Sequence, residues 1–300
     1  MSPVPSSPLT DRVTVWFGEH RRDLPWRAPD RTPWGVLVSE VMLQQTPVVR
    51  VLPVWEQWLR VWPVPADLAA AGTADVLRAW GRLGYPRRAL RLQECARAIT
   101  ERHDGVVPSD EDELRALPGI GSYTAAAVVA FAYGGRSVVL DTNVRRVLAR
   151  AVDGAALPSP AHTVAEVRRA TALVPDAPGD AAAWAAASME LGAVVCTARA
   201  PRCGACPVAD LCRWRADGYP PDLHAARRRT QGWAGTDRQV RGRVMGLLRD
   251  SVGPVPLVEV ERLAVEGTDR PRLQRCVDGL VADGLVEVVG DDEPALRLPA

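Results

Sequence analysis

The chain has 300 residues, enough to bury a substantial core, and its formal net charge of +1 leaves the total silent about a polyanionic partner. All 37 basic residues are arginine, so chemistry that requires a lysine side chain is excluded. No apolar run approaches the ~18–20 residues of a membrane span, and MSPVPSSPLTDR lacks the basic and apolar regions of a signal peptide, so a cytoplasmic, reducing setting is expected.

From the N-terminus, Val13, Trp16 and Phe17 lie at helical spacing between Asp11 and His20, and Leu24-Pro25 ends that helix. Trp34 to Thr46 reads as a mostly buried helix stopped by Pro47. Further helices are predicted at Val48 to Trp62, Ala66 to Ala71 and Ala74 to Arg82, the last with Thr73 as N-cap and Gly84 as stop. Arg87 to Arg102 forms an amphipathic helix with a basic face, and Glu111 to Ala116 follows a Gly105/Pro108 loop.

Next comes LPGIGSYTAAAVVAFAYGGRSVVLDTNVRRVLAR, from Leu117 to Arg150. Pro118, Gly119 and Gly121 break a helix, and an apolar helix-forming run from Thr124 to Tyr133 follows at once. A helix–turn–helix of this kind aims unpaired N–H groups and a positive dipole end outward, where a phosphate can bind; an ordinary helical hairpin gives the same pattern. Asp141 is placed to cap the next helix. Helices are predicted near Thr163 to Leu173 and Asp180 to Val194, and nothing before Cys196 alternates like a sheet.

Leu211 to Thr236, with Pro220, Pro221, Arg227-Arg228-Arg229 and Gly232, reads as a linker whose arginines are a solvated face or a phosphate contact. The tail offers helices at Asp237 to Leu248, Leu257 to Ala264 and Arg270 to Ala282, then GLVEVVG and ALRL as extended segments. Three helices and a hairpin describe a small winged-helix-like domain. The expected class is therefore all α, with strand only in the tail.

Cys196, Cys203, Cys206 and Cys212 leave gaps of six, two and five residues. Clustered cysteines in a reducing setting point to metal rather than disulfides. Structural zinc usually takes two short pairs from separate knuckles, whereas four thiolates in one compact loop suit a [4Fe-4S] cluster. Cys95 and Cys276 stand alone and read as buried apolar residues.

Glu40 sits among Val38, Val41, Met42 and Leu43. Burial there would raise its pKa and suit a general acid, whereas an exposed stripe would make it an ordinary surface carboxylate. Asp141 is a second carboxylate, and two carboxylates of divided pKa can act as proton donor and charge stabiliser.

The LPGIG hairpin with Asp141 some twenty residues on resembles the helix-hairpin-helix base-excision DNA glycosylases. The segments SEVMLQQTPV and GLGY, with the cysteines, are most similar to the adenine DNA glycosylases of MutY type, over roughly Trp16 to Cys212. The cysteine spacing then matches that family's cluster loop residue for residue. The resemblance implies an all-α, two-lobed fold. Residues 1–27 with 138–215 would form a cluster-binding lobe, 28–137 a six-helix lobe, 216–236 a linker and 237–300 the winged-helix-like domain.

It further implies that Glu40 protonates the purine and Asp141 stabilises the sugar cation, with Asn143 beside it and Tyr123 in the pocket. Tyr123 occupies the place of the lysine of bifunctional relatives, so no lysine-dependent strand cleavage is expected; it could equally be a core aromatic. Gln44, Gln45 and Tyr85 would contact bases of the opened duplex, with Pro86 a departure from the usual motif, and Gly119 and Gly121 would hold phosphate. Arg27 and the Arg87-Arg88 pair are candidate phosphate contacts, or solvated surface. The expected partner is duplex DNA containing a mispaired adenine, engaged by a nucleoid-associated monomer.

Two other readings remain: a thymine or uracil mismatch glycosylase of the same fold, and a noncatalytic iron-sulfur DNA-binding protein. Relatives that recognise 8-oxoguanine usually carry a long β-rich C-terminal domain similar to Nudix hydrolases, for which residues 237–300 are too few.

Overall fold

A computed structural model describes residues 7–227, 235–263, 269–290 and 293–300. Arg228, Arg229, Gly232 and Ala264, all named in sequence predictions, lie outside the described residues. The chain divides into two compact units: residues 1–37, 109–116 and 120–229, and residues 38–108, 117–119 and 230–300. The boundary falls inside α2, Pro33–Leu43.

The first unit contains α1 (Pro8–His20), α7 (Glu111–Arg115), α8 (Ser122–Tyr133), α9 (Thr142–Ala151), α10 (Val164–Ala172), α11 (Pro178–Val194) and α12 (Arg213–Ala216). Val13, Trp16 and Phe17 of α1 pack on Val144, Val147 and Leu148 of α9 and on Trp184 and Leu191 of α11, with Val208 of the cysteine loop closing the same core. The periodic apolar faces read from the sequence meet here, and their burial supplies the main driving force.

The second unit contains α3 (Val48–Val61), α4 (Pro65–Ala70), α5 (Thr73–Trp80), α6 (Arg87–Arg102), α13 (Asp237–Asp250), α14 (Leu257–Arg262) and α15 (Arg270–Ala282). Trp58 makes edge contacts with Trp62 and Trp80, giving this core its aromatic centre. Three short antiparallel strands, β1 (Val255–Pro256), β2 (Glu287–Val289) and β3 (Ala295–Arg297), form a sheet in the order β1-β3-β2. All strands of the described residues lie in the tail, as predicted, but β1 is an addition: two residues carry no readable alternation.

Several local predictions need correction. Gly72, not Thr73, caps α5, because Thr73 already turns into the helix and its hydroxyl reaches Gln93. Gly81 at φ 55° ends α5, not Gly84. Helix α2 ends at Leu43, four residues before Pro47, because Arg88 takes up the carbonyls of Val41, Met42 and Gln44 that a longer helix would have satisfied. The segment read as linker contains α12, where the Trp214 indole donates to the carbonyl of Pro220. Cys95 and Cys276 are buried, and burial pushes the Cys95 thiol up to about 12.

Candidate active site and DNA interface

The sequence SVVL-DTN-VRRVLAR folds so that Asp141 caps α9, accepting the Val144 N–H at 2.6 Å. Its other oxygen accepts from the Asn143 amide at 2.6 Å. The Asn143 carbonyl oxygen in turn accepts from Arg146 at 2.8 Å, and Arg146 also donates to the carbonyls of Gly192 and Cys196 at 2.7 Å each. Gly192 is required at that crossing: a Cβ would stand 2.7 Å from Asn143 Cβ and from its backbone oxygen. Burial raises the Asp141 pKa, opposed by the Val144 N–H, the Asn143 amide and the Arg146 charge. The result is a carboxylate held in one orientation and less acidic than in water.

Tyr123, on the first turn of α8, is half-buried and packs against Ala126, Ala127, Ala130, Val139 and Ala185. No side chain caps α8, and Gly121 and Ser122 at its start are exposed, leaving its N–H groups available to an anion. Gly119 turns at φ 75°, and any Cβ there would lie 2.8 Å from Arg91 Cβ.

Glu40 belongs to the second unit and is 4 % exposed, inside the apolar face of α2. Its carboxylate is therefore not on an exposed stripe of the helix. The two residues expected to touch bases, Gln45 and Tyr85, share a departure from ordinary backbone: φ is 55° and 47°. Non-glycine residues in this region store strain and persist only where the surroundings hold them. Arg88 is the holder. Its guanidinium donates to the carbonyls of Val41, Met42, Gln44 and Gly84 and to the Thr46 hydroxyl, at 2.7–3.1 Å, and lies over the rings of Trp80 and Tyr85. Burial pulls its pKa down to about 10, partly offset by Tyr85.

Arg27 is used similarly inside the first unit. It pairs with the fully buried Glu190 at 3.0 Å beside Arg22 at 2.7 Å, and its guanidinium lies over Phe17. Burial would push the Glu190 carboxyl up, but the donors of Arg22 and Arg27 win and hold it at about 2.

Cys196, Cys203, Cys206 and Cys212 are free thiols of intermediate burial on one loop. Burial pushes Cys206 up to about 11, with Cys196, Cys212 and Cys203 adding to the rise. Arg150 donates to the Cys196 sulfur at 3.3 Å, a contact suited to a thiolate. Among the described residues no three ligands close to the spacing of a single metal ion. Four soft donors within one seventeen-residue loop fit a multi-iron cluster, which when bound would cross-link the loop.

Sequence reasoning missed Arg146. Its signal was its place three residues after Asn143 on the same helix, one turn away.

Comparison with known proteins agrees with these features. Residues 38–171 match the HhH-GPD superfamily base excision DNA repair protein model, and residues 196–212 match the iron-sulfur binding domain of endonuclease III. The adenine DNA glycosylase of Mycolicibacterium smegmatis is 53 % identical over 94 % of this chain and 93 % of its own length. That of Homo sapiens is 43 % identical over 67 % of this chain and 38 % of its own. A thermostable thymine-DNA glycosylase aligns with a TM-score of 0.62 at 27 % identity, over 69 % of this chain and 95 % of that one. The expected family, the all-α fold and the [4Fe-4S] cofactor are thus borne out, and the four cysteines lie within the matched residues 196–212. The chain belongs to the adenine DNA glycosylases of the HhH-GPD superfamily of base excision DNA repair proteins.

Proposed function

We propose that this chain binds duplex DNA and removes adenine mispaired with 8-oxoguanine or guanine, leaving an intact abasic site. The observation that carries the reading is the oriented Asp141–Asn143–Arg146 chain in a protein whose apolar helix α2 buries a second carboxylate, Glu40. Glu40 delivers a proton to the purine, turning it into a neutral leaving group. Asp141 faces the sugar as positive charge develops at its anomeric carbon, and a water completes hydrolysis of the N-glycosidic bond. Asn143 keeps the Asp141 carboxylate ionised and turned to its task. Tyr123 supplies a wall. Gln44, Gln45 and Tyr85 enter the stack where the base is extruded, which requires side chains presented on protruding, strained turns. Gly119 and Gly121 free backbone N–H groups for a phosphate.

With no lysine in the chain, no side-chain amine can form a Schiff base with the opened sugar, so backbone cleavage through that route does not occur. A thymine offers no ring nitrogen equivalent to purine N7 for Glu40 to protonate, which sets this chain apart from mismatch glycosylases acting on pyrimidines.

Single-turnover base release from duplexes with adenine opposite 8-oxoguanine, adenine opposite guanine and thymine opposite guanine tests the reading. Adenine loss with strand scission only after alkali is expected. Thymine release alone, or scission without alkali, would overturn the substrate or the monofunctional assignment respectively.

A further inference from the structure

Within the second unit, the turn from Gly81 to Arg88 and the tail helix α13 enclose a cavity of about 1340 Å³, with Gln44, Gln45 and Tyr85 in its wall. Nine arginines and a single carboxylate, Asp250, line it. The near-neutral chain has thus concentrated its positive charge here, and such a concentration of like charges is costly unless an anion is to be received.

The arginines divide by what they hold. Arg88 is spent on backbone carbonyls, and Arg87 and Arg241 both pair with Asp283, the first at 3.1 Å. The Arg87 pair pins the tail to the turn, and the Arg241 pair holds Asp283 within the tail. Arg238 of α13 lies 4.4 Å from the centre of the Tyr85 ring, whose other neighbour is Arg88 at 5.6 Å. Arg82 of the turn and Arg249 of α13 both line the cavity, and among the described residues neither guanidinium is in an ion pair with a carboxylate. Burial pulls the Arg249 pKa down, Asp250 restores part of it, and Arg82 lowers it again.

We propose that residues 237–300 are a second DNA-binding element built onto the Gly81–Arg88 turn, and that Arg82 and Arg249 in the shared cavity take backbone phosphates of the duplex. The inference rests on the glycosylase reading for the identity of the polyanion. It goes beyond that reading in giving the tail a place in binding, separate from the helix-hairpin-helix. The tail's position explains the choice of partner. It supports the very turn that presents Tyr85, so a strand engaged by that turn passes the unpaired arginines. Binding through them is electrostatic and independent of sequence.

The test is the salt dependence of full-length protein binding to an undamaged duplex, read by fluorescence anisotropy. Each phosphate contact contributes about 0.9 to the slope of log K against log salt. Arg82→Ala is expected to lower the slope by ~0.9, and Arg82→Ala with Arg249→Ala by ~1.8, whereas Arg60→Ala, on exposed α3 surface outside the cavity, leaves it unchanged. Because Arg82 is exposed, its single substitution reads the site even if the double variant folds poorly. An unchanged slope in the Arg82 variant, or a uniform loss of affinity at all salt concentrations, would overturn the proposal. So would calorimetric binding of dGMP abolished by these substitutions while the duplex slope stays the same, which would assign the cavity to a free nucleotide. Adenine release by the unaltered protein, measured alongside, separates the two ideas: release without a slope change sinks the tail, and a slope change without release sinks the glycosylase reading.

Discussion

Asn143 and Asp141 are locked to each other, the amide donating to the carboxylate at 2.6 Å while its own oxygen accepts from Arg146. Through Arg146 the same contact reaches the Cys196 carbonyl at the start of the cluster loop. Position and ionisation of the carboxylate are therefore set by one continuous line of donors.

Asn143→Ala removes a donor that favours ionised Asp141, whose pKa burial has already raised. Losing one hydrogen bond to a charged acceptor, worth ~1.5 kcal/mol, raises it further. Because the ionised form stabilises the sugar cation, the acid limb of the base-release profile should move to higher pH, with recovery at higher pH. A rate lowered equally at every pH would mean that Asn143 serves only structure.

Glu40→Gln keeps the size of the buried side chain but cannot give up a proton. Adenine release is expected to fall by roughly 10²–10⁴. Duplex affinity, read by anisotropy on the same substrate, should stay within a factor of about three, and turnover at the normal rate would remove Glu40 from the acid role.

Glu190 is fully buried with its pKa held at about 2 by Arg22 and Arg27, against an ordinary 4.5. A depressed carboxylate contributes stability that is fully present above pH 4.5 and is lost as pH falls toward 2. Glu190→Gln leaves the guanidinium of Arg27 buried without its counter-charge, at a cost of about 3–5 kcal/mol near neutrality. Denaturant midpoints of the two proteins should converge as pH drops from 5 to 3; a constant gap would refute the assignment.

Arg88→Lys tests the cradle beneath the Gln44–Gln45 turn. An ammonium retains the charge but not the planar fork that reaches five acceptors. Losing two such bonds should cost about 3 kcal/mol. Because Gln45 and Tyr85 would relax from φ 55° and 47°, base release should fall more steeply than duplex binding. Equal losses in both would show that the strained turns are not used in extrusion.

Cys206→Ser replaces one of the four soft donors. Iron bound per chain is expected to drop to near zero, with faster proteolysis between residues 196 and 212. Full iron content would exclude Cys206 as a ligand.

The sequence by itself determined most of what depends on neighbours within a few turns, the two ends of α5 excepted. Helices α6 and α15 begin and end where their periodicity and flanking residues place them, at Arg87–Arg102 and Arg270–Ala282. Asp141 caps α9 because only a short acceptor fits before VRRVLAR, and the cysteine spacing carries the cluster loop within seventeen residues. The family resemblance added roles for Glu40 and Asp141, since pattern alone left each an ordinary helix carboxylate. Tertiary structure decided which charges are consumed and which are left over. Arg27, a candidate phosphate contact in the sequence, is committed to Glu190 across 163 residues, and Arg88 to carbonyls more than forty residues away. Arg82 and Arg249, in no ion pair with a carboxylate among the described residues, are brought to one cavity by the contact of the tail with the turn. The physical reason is one of range: local hydrogen bonding and hydrophobic periodicity are written in adjacent residues, whereas the free energy of a charge depends on what desolvates and neutralises it, and those groups come from distant parts of the chain.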